Sequence, residues 1–241
     1  MDATTEHQDL LRQIEQHADP EHQKGMSMTV PTQARIYGVK VPYLRKMAAG
    51  WQRAHKQVAR GELLALVEAL WDGGSLEERS LVIYLFERYK RWIPDLTWAH
   101  FERWRHDLDN WVVTDGLGQW VMAVWMLADP DARLDHLWAL IADEDVWSRR
   151  LALVATTGLN RARKDTHFPD LTLALVDRAK SERHPMMTKA VSWALRALGE
   201  KVPQRVAAYL EMNRAVLAGH VVREVENKLR TGLKSGKTDE E

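Results

Sequence analysis

The chain contains no cysteine. Disulfide bonds, cysteine-ligated metal sites and a cysteine nucleophile are therefore excluded. No apolar run approaches the roughly 20 residues that a membrane-spanning helix needs, and residues 1–6 lack the basic and apolar regions of a signal peptide. The absence of a signal peptide and of a membrane span predicts a cytoplasmic protein.

An excess of either charge is also absent, because 34 Lys and Arg balance 34 Asp and Glu. A nucleic-acid-binding protein usually has a basic excess. The balance counts mildly against that class, although the distribution of charge over the surface matters more than the sum. Phe and Tyr are few, at 3 and 5, whereas there are 11 Trp. Such rings suit a buried core, and their polar edges also suit a Trp-lined groove.

The motifs of several enzyme classes are missing as well. The 10 histidines form no His-Glu-x-x-His pattern, and the chain has neither Gly-x-Gly-x-x-Gly nor a Walker loop. No sharp strand-to-helix turn supports a serine nucleophile. The sequence therefore predicts no metal site, no phosphate-binding loop and no serine-hydrolase site.

Apolar residues recur at helical spacing along most of the chain, and no convincing period-two alternation is present. This pattern predicts an all-α protein. A first helix is expected over residues 7–18 and an irregular stretch over 20–40. A central helix is expected over 110–127, and a short helix from Asp129-Pro130 through 141.

Four residues fall at similar places in successive predicted helices. Arg79, Asp115, Arg150 and Trp193 are separated by 36, 35 and 43 residues. A period of roughly 35–45 residues in helix pairs is typical of a HEAT-like solenoid, whose second helices line a concave surface. The sequence thus predicts one solenoid domain over 1–234 and a disordered polar tail over 235–241.

The stretch from Asn110 to Asp115 is central to this pattern. Trp111 and Asp115 are four residues apart, so a helix places the indole and the carboxylate on one face. One interpretation is a core Trp beside a surface acid. The other is a site where a ring and a carboxylate both meet a cationic substrate or a developing positive charge.

Four stretches, in order across roughly residues 35–230, resemble a known family. They are residues 37–45 (Tyr-Gly-Val-Lys-Val-Pro-Tyr-Leu-Arg), Asn110-Trp111 with Asp115, residues 147–154 (Trp-Ser-Arg-Arg-Leu-Ala-Leu-Val) and residues 189–196 (Lys-Ala-Val-Ser-Trp-Ala-Leu-Arg). Together they resemble the AlkD-like family of DNA alkylation repair proteins, which are HEAT-repeat DNA glycosylases.

The resemblance implies hydrolysis of the N-glycosidic bond of cationic N3- or N7-alkylpurines in duplex DNA, a step of base excision repair. It also implies a basic concave DNA-binding face, no metal or cofactor, and no conventional base-flipping pocket. A monomer that associates with the nucleoid when it acts on DNA is expected.

Residue by residue, the resemblance assigns roles to the matched positions. Asp115 matches the catalytic carboxylate, which stabilises positive charge on the deoxyribose and helps to place the water. Trp111 and Trp193 match the aromatic pair beside the lesion, and Arg150 matches the arginine that holds phosphate. Each Trp retains the alternative of a core residue, with snorkelling cations beside Trp193.

Further DNA contacts are expected around these positions. Lys189 and Arg196 share a helix face with Trp193. Arg149 adjoins Arg150, and one of these two arginines is expected to be an ordinary solvated or salt-bridged side chain. Tyr37 is the candidate for the family's N-terminal aromatic residue.

Val112 departs from the pattern, because many relatives have an acid after the Trp. Two other functions therefore stay open. One is a family member that binds damaged or branched DNA without cleaving it. The other is a HEAT-type protein-interaction scaffold, whose concave face would not be basic.

Overall fold

The structure, a computed structural model, describes residues 1–161 and 168–236, and all regular secondary structure in these ranges is helical. The all-α prediction is confirmed. The predicted polar tail lies outside the described residues from 237 onward. The helices are α1 Ala3–Gln16, α2 Pro20–Thr29, α3 Val41–Ala54, α4 Arg60–Gly73, α5 Leu76–Arg88, a 3-10 helix Lys90–Asp95, α6 Trp98–Arg105, α7 Trp111–Gly116, a π-helical segment Leu117–Met122, α8 Ala123–Ala128, α9 Pro130–Arg133, α10 His136–Ile141, α11 Val146–Leu159, α12 Pro169–Ala179, α13 Pro185–Gly199, α14 Pro203–Asn213 and α15 Gly219–Thr231.

Local sequence signals explain where many of these helices begin. The side chains of Asp2, Asp19, Ser75, Asn110 and Asp145 each accept a hydrogen bond from a backbone N–H of the helix that follows. Such caps satisfy donors that have no partner within the helix. Proline stands in the first turn of α2, α3, α12, α13 and α14, where its missing N–H costs nothing.

The prediction of an irregular stretch over residues 20–40 was wrong in its first half, since α2 occupies Pro20–Thr29. The side chain of Asp19 accepts hydrogen bonds from the N–H groups of Glu21 and His22, and Pro20 is the first residue of the new helix. Because α1 already ends at Gln16, the Asp19-Pro20 dipeptide marks only the start of α2.

The predicted central helix over 110–127 is helical but not uniform. It comprises α7, the π-helical segment and α8. The π turn cannot be deduced from apolar spacing, because a single wider turn changes the period only locally. Two short helices, α9 and α10, replace the single helix expected over 129–141.

The chain divides into two compact units, Met1–Val121 and Met122–Glu241. In the first unit, α3 packs against α5 and α5 against α7, while α4 packs against α1 and α5. In the second unit, α8, α11, α13 and α15 pack in succession, with α10, α12 and α14 against them. Each unit thus has the layered arrangement of a helical-repeat fold. The prediction of a single domain over 1–234 stays a prediction.

Some of the unusual tryptophans belong to the core of the first unit. The rings of Trp71 and Trp104 lie 5.3 Å apart, and Phe86 and Phe101 contact Trp104 at 6.0 and 5.7 Å between ring centroids. All four side chains are fully buried. The indole N–H of Trp71 donates to Asp107 at 2.8 Å.

Among the described residues, no helix is long and apolar enough to cross a membrane.

Candidate functional site

The loop at Tyr37–Val39, part of the first motif, is held by a buried carboxylate. Glu77, at 1% exposure, accepts hydrogen bonds from the backbone N–H groups of Tyr37, Gly38 and Val39 at 3.0, 2.8 and 3.1 Å. Gly38 has a φ of +83°, and a Cβ there would lie 2.3 Å from the carbonyl oxygen of Asp19. Only glycine fits this position, so the Tyr-Gly-Val part of the motif is explained by packing.

Tyr37 itself is buried at 8% exposure. The guanidinium of Arg35 lies 4.1 Å from its ring centroid. Burial raises the pKa of the Tyr37 hydroxyl, while the charge of Arg35 acts in the opposite direction. These contacts place the ring of Tyr37 in the protein interior. A DNA contact from Tyr37 stays a prediction.

The start of α7 is fixed by the Asn-Trp pair of the second motif. Asn110, at 1% exposure, accepts a hydrogen bond from the N–H of Val113 at 3.0 Å. Trp111 is half-buried, and its indole N–H donates to the carbonyl of Thr29 at 3.2 Å. Asn110 therefore caps the helix, and Trp111 ties it to the end of α2.

Asp109 strengthens the same junction. Its carboxylate accepts hydrogen bonds from the hydroxyl of Thr32 at 2.7 Å, the N–H of Gln33 at 2.6 Å and the side chain of Asn110 at 2.8 Å. Burial acts to raise the pKa of Asp109, but these hydrogen bonds outweigh it and the pKa lies below its usual value. The ionised carboxylate thus binds the segment after α2 to the start of α7.

Asp115 lies one turn after Trp111, half-buried, on the wall of a small cleft of about 170 Å³ in the first unit. The other lining residues are Arg45, Ser80, Ile83, Tyr84, Val112, Gly116, Gln119 and Trp120. A Cβ on Gly116 would lie 2.6 Å from Cδ1 of Ile83. Glycine therefore allows α7 to approach α5 closely and sets the position of Asp115. The π-helical segment starts at Leu117, two residues after Asp115. Such π-helical turns are often found at functional sites.

Arg45 and Tyr84 are functional candidates in this cleft that sequence reasoning did not select. The guanidinium of Arg45 lies 4.5 Å from the ring centroid of Tyr84 and donates to Glu87 at 2.7 Å. Burial raises the pKa of Tyr84, and the charge of Arg45 opposes this. Arg45 ends the first motif, which could have indicated it. No comparable signal identified Tyr84.

In the second unit, the paired arginines of the third motif have different surroundings. Arg149 donates to Glu182 at 2.9 Å and to the carbonyls of Asp143 and Glu144 at 2.9 and 2.7 Å. Arg150 is 4% exposed, and its guanidinium donates to the carbonyl of Met186 at the start of α13. Arg149 is therefore the salt-bridged partner that the sequence interpretation allowed for, although its DNA contact stays a prediction.

The fourth motif lies on α13. Trp193 and Arg196 are half-buried and line a cleft of about 160 Å³, whereas Lys189 is exposed and lies outside that lining. Arg196 donates from Nε to the hydroxyl of Ser192 at 3.2 Å, and Ser192 donates to Glu224 at 2.6 Å. Burial lowers the pKa of Arg196, and the charge of Glu224 acts to raise it.

The structure brings some of the predicted residues together in two groups, each within its own unit, whereas Tyr37, Arg149, Arg150 and Lys189 line neither cleft. Trp111 and Asp115 share α7, and Asp115 shares its cleft with Arg45. Trp193 and Arg196 share a second cleft. Among residues 1–161 and 168–236, no cluster of three or more His, Asp or Glu is arranged to hold a metal ion.

Comparison with known proteins identifies the family. The family model described as "DNA alkylation repair enzyme" matches residues 10–229. The chain belongs to the DNA alkylation repair enzyme family. Its role is accordingly in the repair of alkylated DNA, with DNA as its partner.

A solved structure, described as a predicted DNA alkylation repair enzyme from Enterococcus faecalis, has the same fold. The TM-score is 0.71 at 17% sequence identity, over 89% of this chain and 97% of that chain. The all-α helical-repeat fold predicted from the sequence is thereby confirmed. No curated protein matches the sequence significantly.

Proposed function

We propose that this family member is a DNA glycosylase that hydrolyses the N-glycosidic bond of cationic N3- and N7-alkylpurines in duplex DNA. The observation that carries the proposal is the placement of Asp115. Its carboxylate lines a cleft in the first unit, one turn after Trp111, on a helix fixed by the Asn110 cap and the close contact at Gly116. A carboxylate placed in this way can act on a charge that develops during the reaction.

The chemistry of a cationic base suits a site of this kind. The base already carries a positive charge and leaves without a general acid. Bond cleavage makes the deoxyribose oxocarbenium-like, and a fixed carboxylate stabilises the growing charge. The face of Trp111 adds a favourable cation–π interaction. In this mechanism Asp115 supplies the negative charge and orients the water.

Arg45 is proposed to assist on the DNA side of the same cleft. Its side chain is 46% exposed and is oriented by Glu87 and by the ring of Tyr84. Arginine binds phosphate through a planar fork of donors. In the second unit, Trp193, Arg196 and Lys189 are proposed as contacts to the sugar-phosphate backbone. A phosphate contact by Arg150 is also proposed, and it requires its side chain, which is 4% exposed, to become accessible. Arg149 already donates from Nε and Nη1 to Glu182 and two carbonyls.

The test is release of free base from N-methylated duplex DNA by the purified protein. Wild type is expected to release base, and Asp115→Asn is expected to lose about 10²–10³-fold in rate, as when a preorganised electrostatic group is removed. DNA affinity should change little. Asp95→Asn is the matched control, since Asp95 is an exposed acid of the same unit that pairs with Arg60 at 3.2 Å.

Other outcomes separate the alternatives. DNA binding without base release by wild type would indicate the non-catalytic binder. Val112 is the observation behind this alternative. It places an apolar side chain in the cleft lining, where the resemblance leads us to expect an acid. If the wild type neither released base nor bound DNA, the protein-interaction scaffold would be favoured. Full activity of Asp115→Asn would exclude the proposed role of this carboxylate.

A further inference from the structure

A second cleft of the first unit, of about 450 Å³, lies at the carboxyl ends of α3 and α5. Five cationic side chains line it, with one acid among the described lining residues. The cations are Arg53, Lys56, Arg88, Lys90 and Arg91, the acid is Glu87, and the other lining residues are Gln52 and Tyr89. We call it the basic cleft. The chain has a formal net charge of zero, but this cleft has a local excess of positive charge.

The acid does not neutralise these cations. Glu87 accepts hydrogen bonds from Arg45, at 2.7 and 3.4 Å, and Arg45 lines the Asp115 cleft instead. In the described part of the chain, no ion pair is formed by Arg53, Lys56, Arg88 or Lys90. The charge of the basic cleft is therefore available to a ligand.

Helix ends often attract cations, because the last carbonyls carry partial negative charge. That effect accounts for Arg53 and Arg88, which lie in the last turns of α3 and α5. Lys56 and Lys90 lie beyond the helix ends. Moreover, Gln52 donates to the carbonyl of Arg88 at 3.3 Å, and Tyr89 donates to that of His55 at 3.0 Å. Neutral side chains thus satisfy two of these carbonyls, and attraction to helix ends does not explain Lys56 and Lys90.

One edge of the basic cleft is rigid. The rings of Tyr89 and Trp92 stack at 5.2 Å with an angle of 5° between planes. The guanidinium of Arg91 lies 4.6 Å from the ring centroid of Trp92. A stacked guanidinium keeps its donors in a fixed plane, so less entropy is lost when it binds an anion.

We propose that the basic cleft binds phosphates of duplex DNA beside the nucleotide that meets Asp115. The spacing supports this. Arg45 and Gln52 are seven residues apart on α3, as are Ser80 and Glu87 on α5. At about 1.5 Å per residue, the two clefts are roughly 11 Å apart along these helices. Each strand of B-DNA presents a phosphate about every 3.4 Å along the axis, so roughly three nucleotides separate the contacts.

The inference rests on the proposed function only for the position of the lesion, because binding of unmodified duplex tests the cleft by itself. The variant is Lys56→Gln with Lys90→Gln. We expect weaker binding, and the slope of log affinity against log salt should become shallower by about 0.9 for each phosphate that is no longer bound.

The control removes the same charge elsewhere. Arg178→Gln with Arg205→Gln changes two exposed cations of α12 and α14, one of which pairs with the exposed Asp170. This double variant should retain the wild-type slope. An unchanged slope for the Lys56 and Lys90 variant, or an equal loss in the control, would overturn the inference.

The failure of the two proposals can be told apart. If wild type released no base and the slope still fell in the Lys56 and Lys90 variant, the glycosylase proposal would fail and the basic cleft would stand. If wild type released base and the slope did not change in that variant, the glycosylase proposal would stand and the basic cleft would fail. A further test uses alkylated duplexes that end within two nucleotides of the lesion on one side. Truncation on the side that meets the basic cleft should abolish the difference in affinity between wild type and variant, and truncation on the other side should leave it.

Discussion

Three acids of the first unit have different roles because their surroundings differ. Glu77 is buried and holds the backbone of the Tyr37–Val39 loop. Asp109 joins the segment after α2 to the start of α7. Asp115 is half-buried beside a cleft. The first two join separate segments of the chain through hydrogen bonds from backbone and side-chain donors, whereas the third lines a cleft and is proposed to meet the substrate.

Asp109 makes the pH dependence of stability testable. Its folded-state pKa is lowered, so its contribution is fully present above the unfolded pKa of about 3.9 and is lost as pH falls through the folded value. Asp109→Asn should lower the free energy of unfolding at pH 7 by about 1–3 kcal/mol, as expected for hydrogen bonds to a charged group.

The measurement is urea unfolding of both proteins across the acid range. The difference between wild type and Asp109→Asn should be constant from pH 7 to about pH 5 and should shrink below about pH 4. A difference that grew as pH fell would contradict the assignment, because it would mean that the folded-state pKa is raised.

Sequence reasoning selected some of these residues and missed others for a physical reason. Trp111 and Asp115 were selected because helical spacing puts them on one face. Glu77 was missed because an acid in the first turn of a helix is usually an exposed partner of the helix dipole. Its burial depends on a loop 40 residues earlier that closes over it. Tyr84 was missed because its neighbour Arg45 comes from another helix.

At the scale of helices, α7 is the element on which the candidate site depends. Its start was predicted within one residue, because Asn110 is a strong cap. Its end was not, because the π-helical segment interrupts the regular period. The missed helix α2 matters to the same site, since the carbonyl of Thr29 at its end accepts from Trp111.

Gly116→Ala tests the close approach of α7 to α5. A Cβ would lie 2.6 Å from Cδ1 of Ile83 and 3.4 Å from its Cγ2. Overpacking costs about 1–3 kcal/mol, whereas alanine gains up to about 1 kcal/mol in helix propensity over glycine. The net expectation is a modest loss of stability together with slower base release, since Asp115 must shift with its helix.

Ile83→Val provides the matched background, because it removes the Cδ1 atom that would clash. In that background Gly116→Ala should be neutral or stabilising, and a double-mutant cycle by thermal unfolding should show the coupling. Equal effects of Gly116→Ala in both backgrounds would mean that the contact with Ile83 does not position α7.

For the whole molecule, the formal net charge of zero conceals a local excess of positive charge in the basic cleft. The sequence predicted the all-α repeat fold from its spacing, but the sum of charges gave no indication of the basic cleft. These cations come from different elements: Arg53 lies on α3, Lys56 in the segment after it, Arg88 on α5 and Lys90 at the start of the 3-10 helix. Only the packing of α3 on α5 brings them to one cleft.

The wild-type protein should therefore bind duplex DNA with a marked salt dependence despite its formal net charge of zero. Log affinity should fall linearly with log salt, with a slope of about −0.9 for each phosphate contacted. Fluorescence anisotropy of a labelled duplex between low and moderate salt gives this slope. A slope near zero would contradict a DNA-binding surface and would agree with the scaffold alternative.

The buried ring pair of the first unit has an optical consequence. Trp71 and Trp104 lie 5.3 Å apart, close enough for their excited states to couple. Coupled indoles give a paired positive and negative band in circular dichroism that vanishes when the pair separates. The protein thus carries a native reporter on the folding of this unit, separate from Trp111 and Trp193, the two tryptophans proposed to contact DNA.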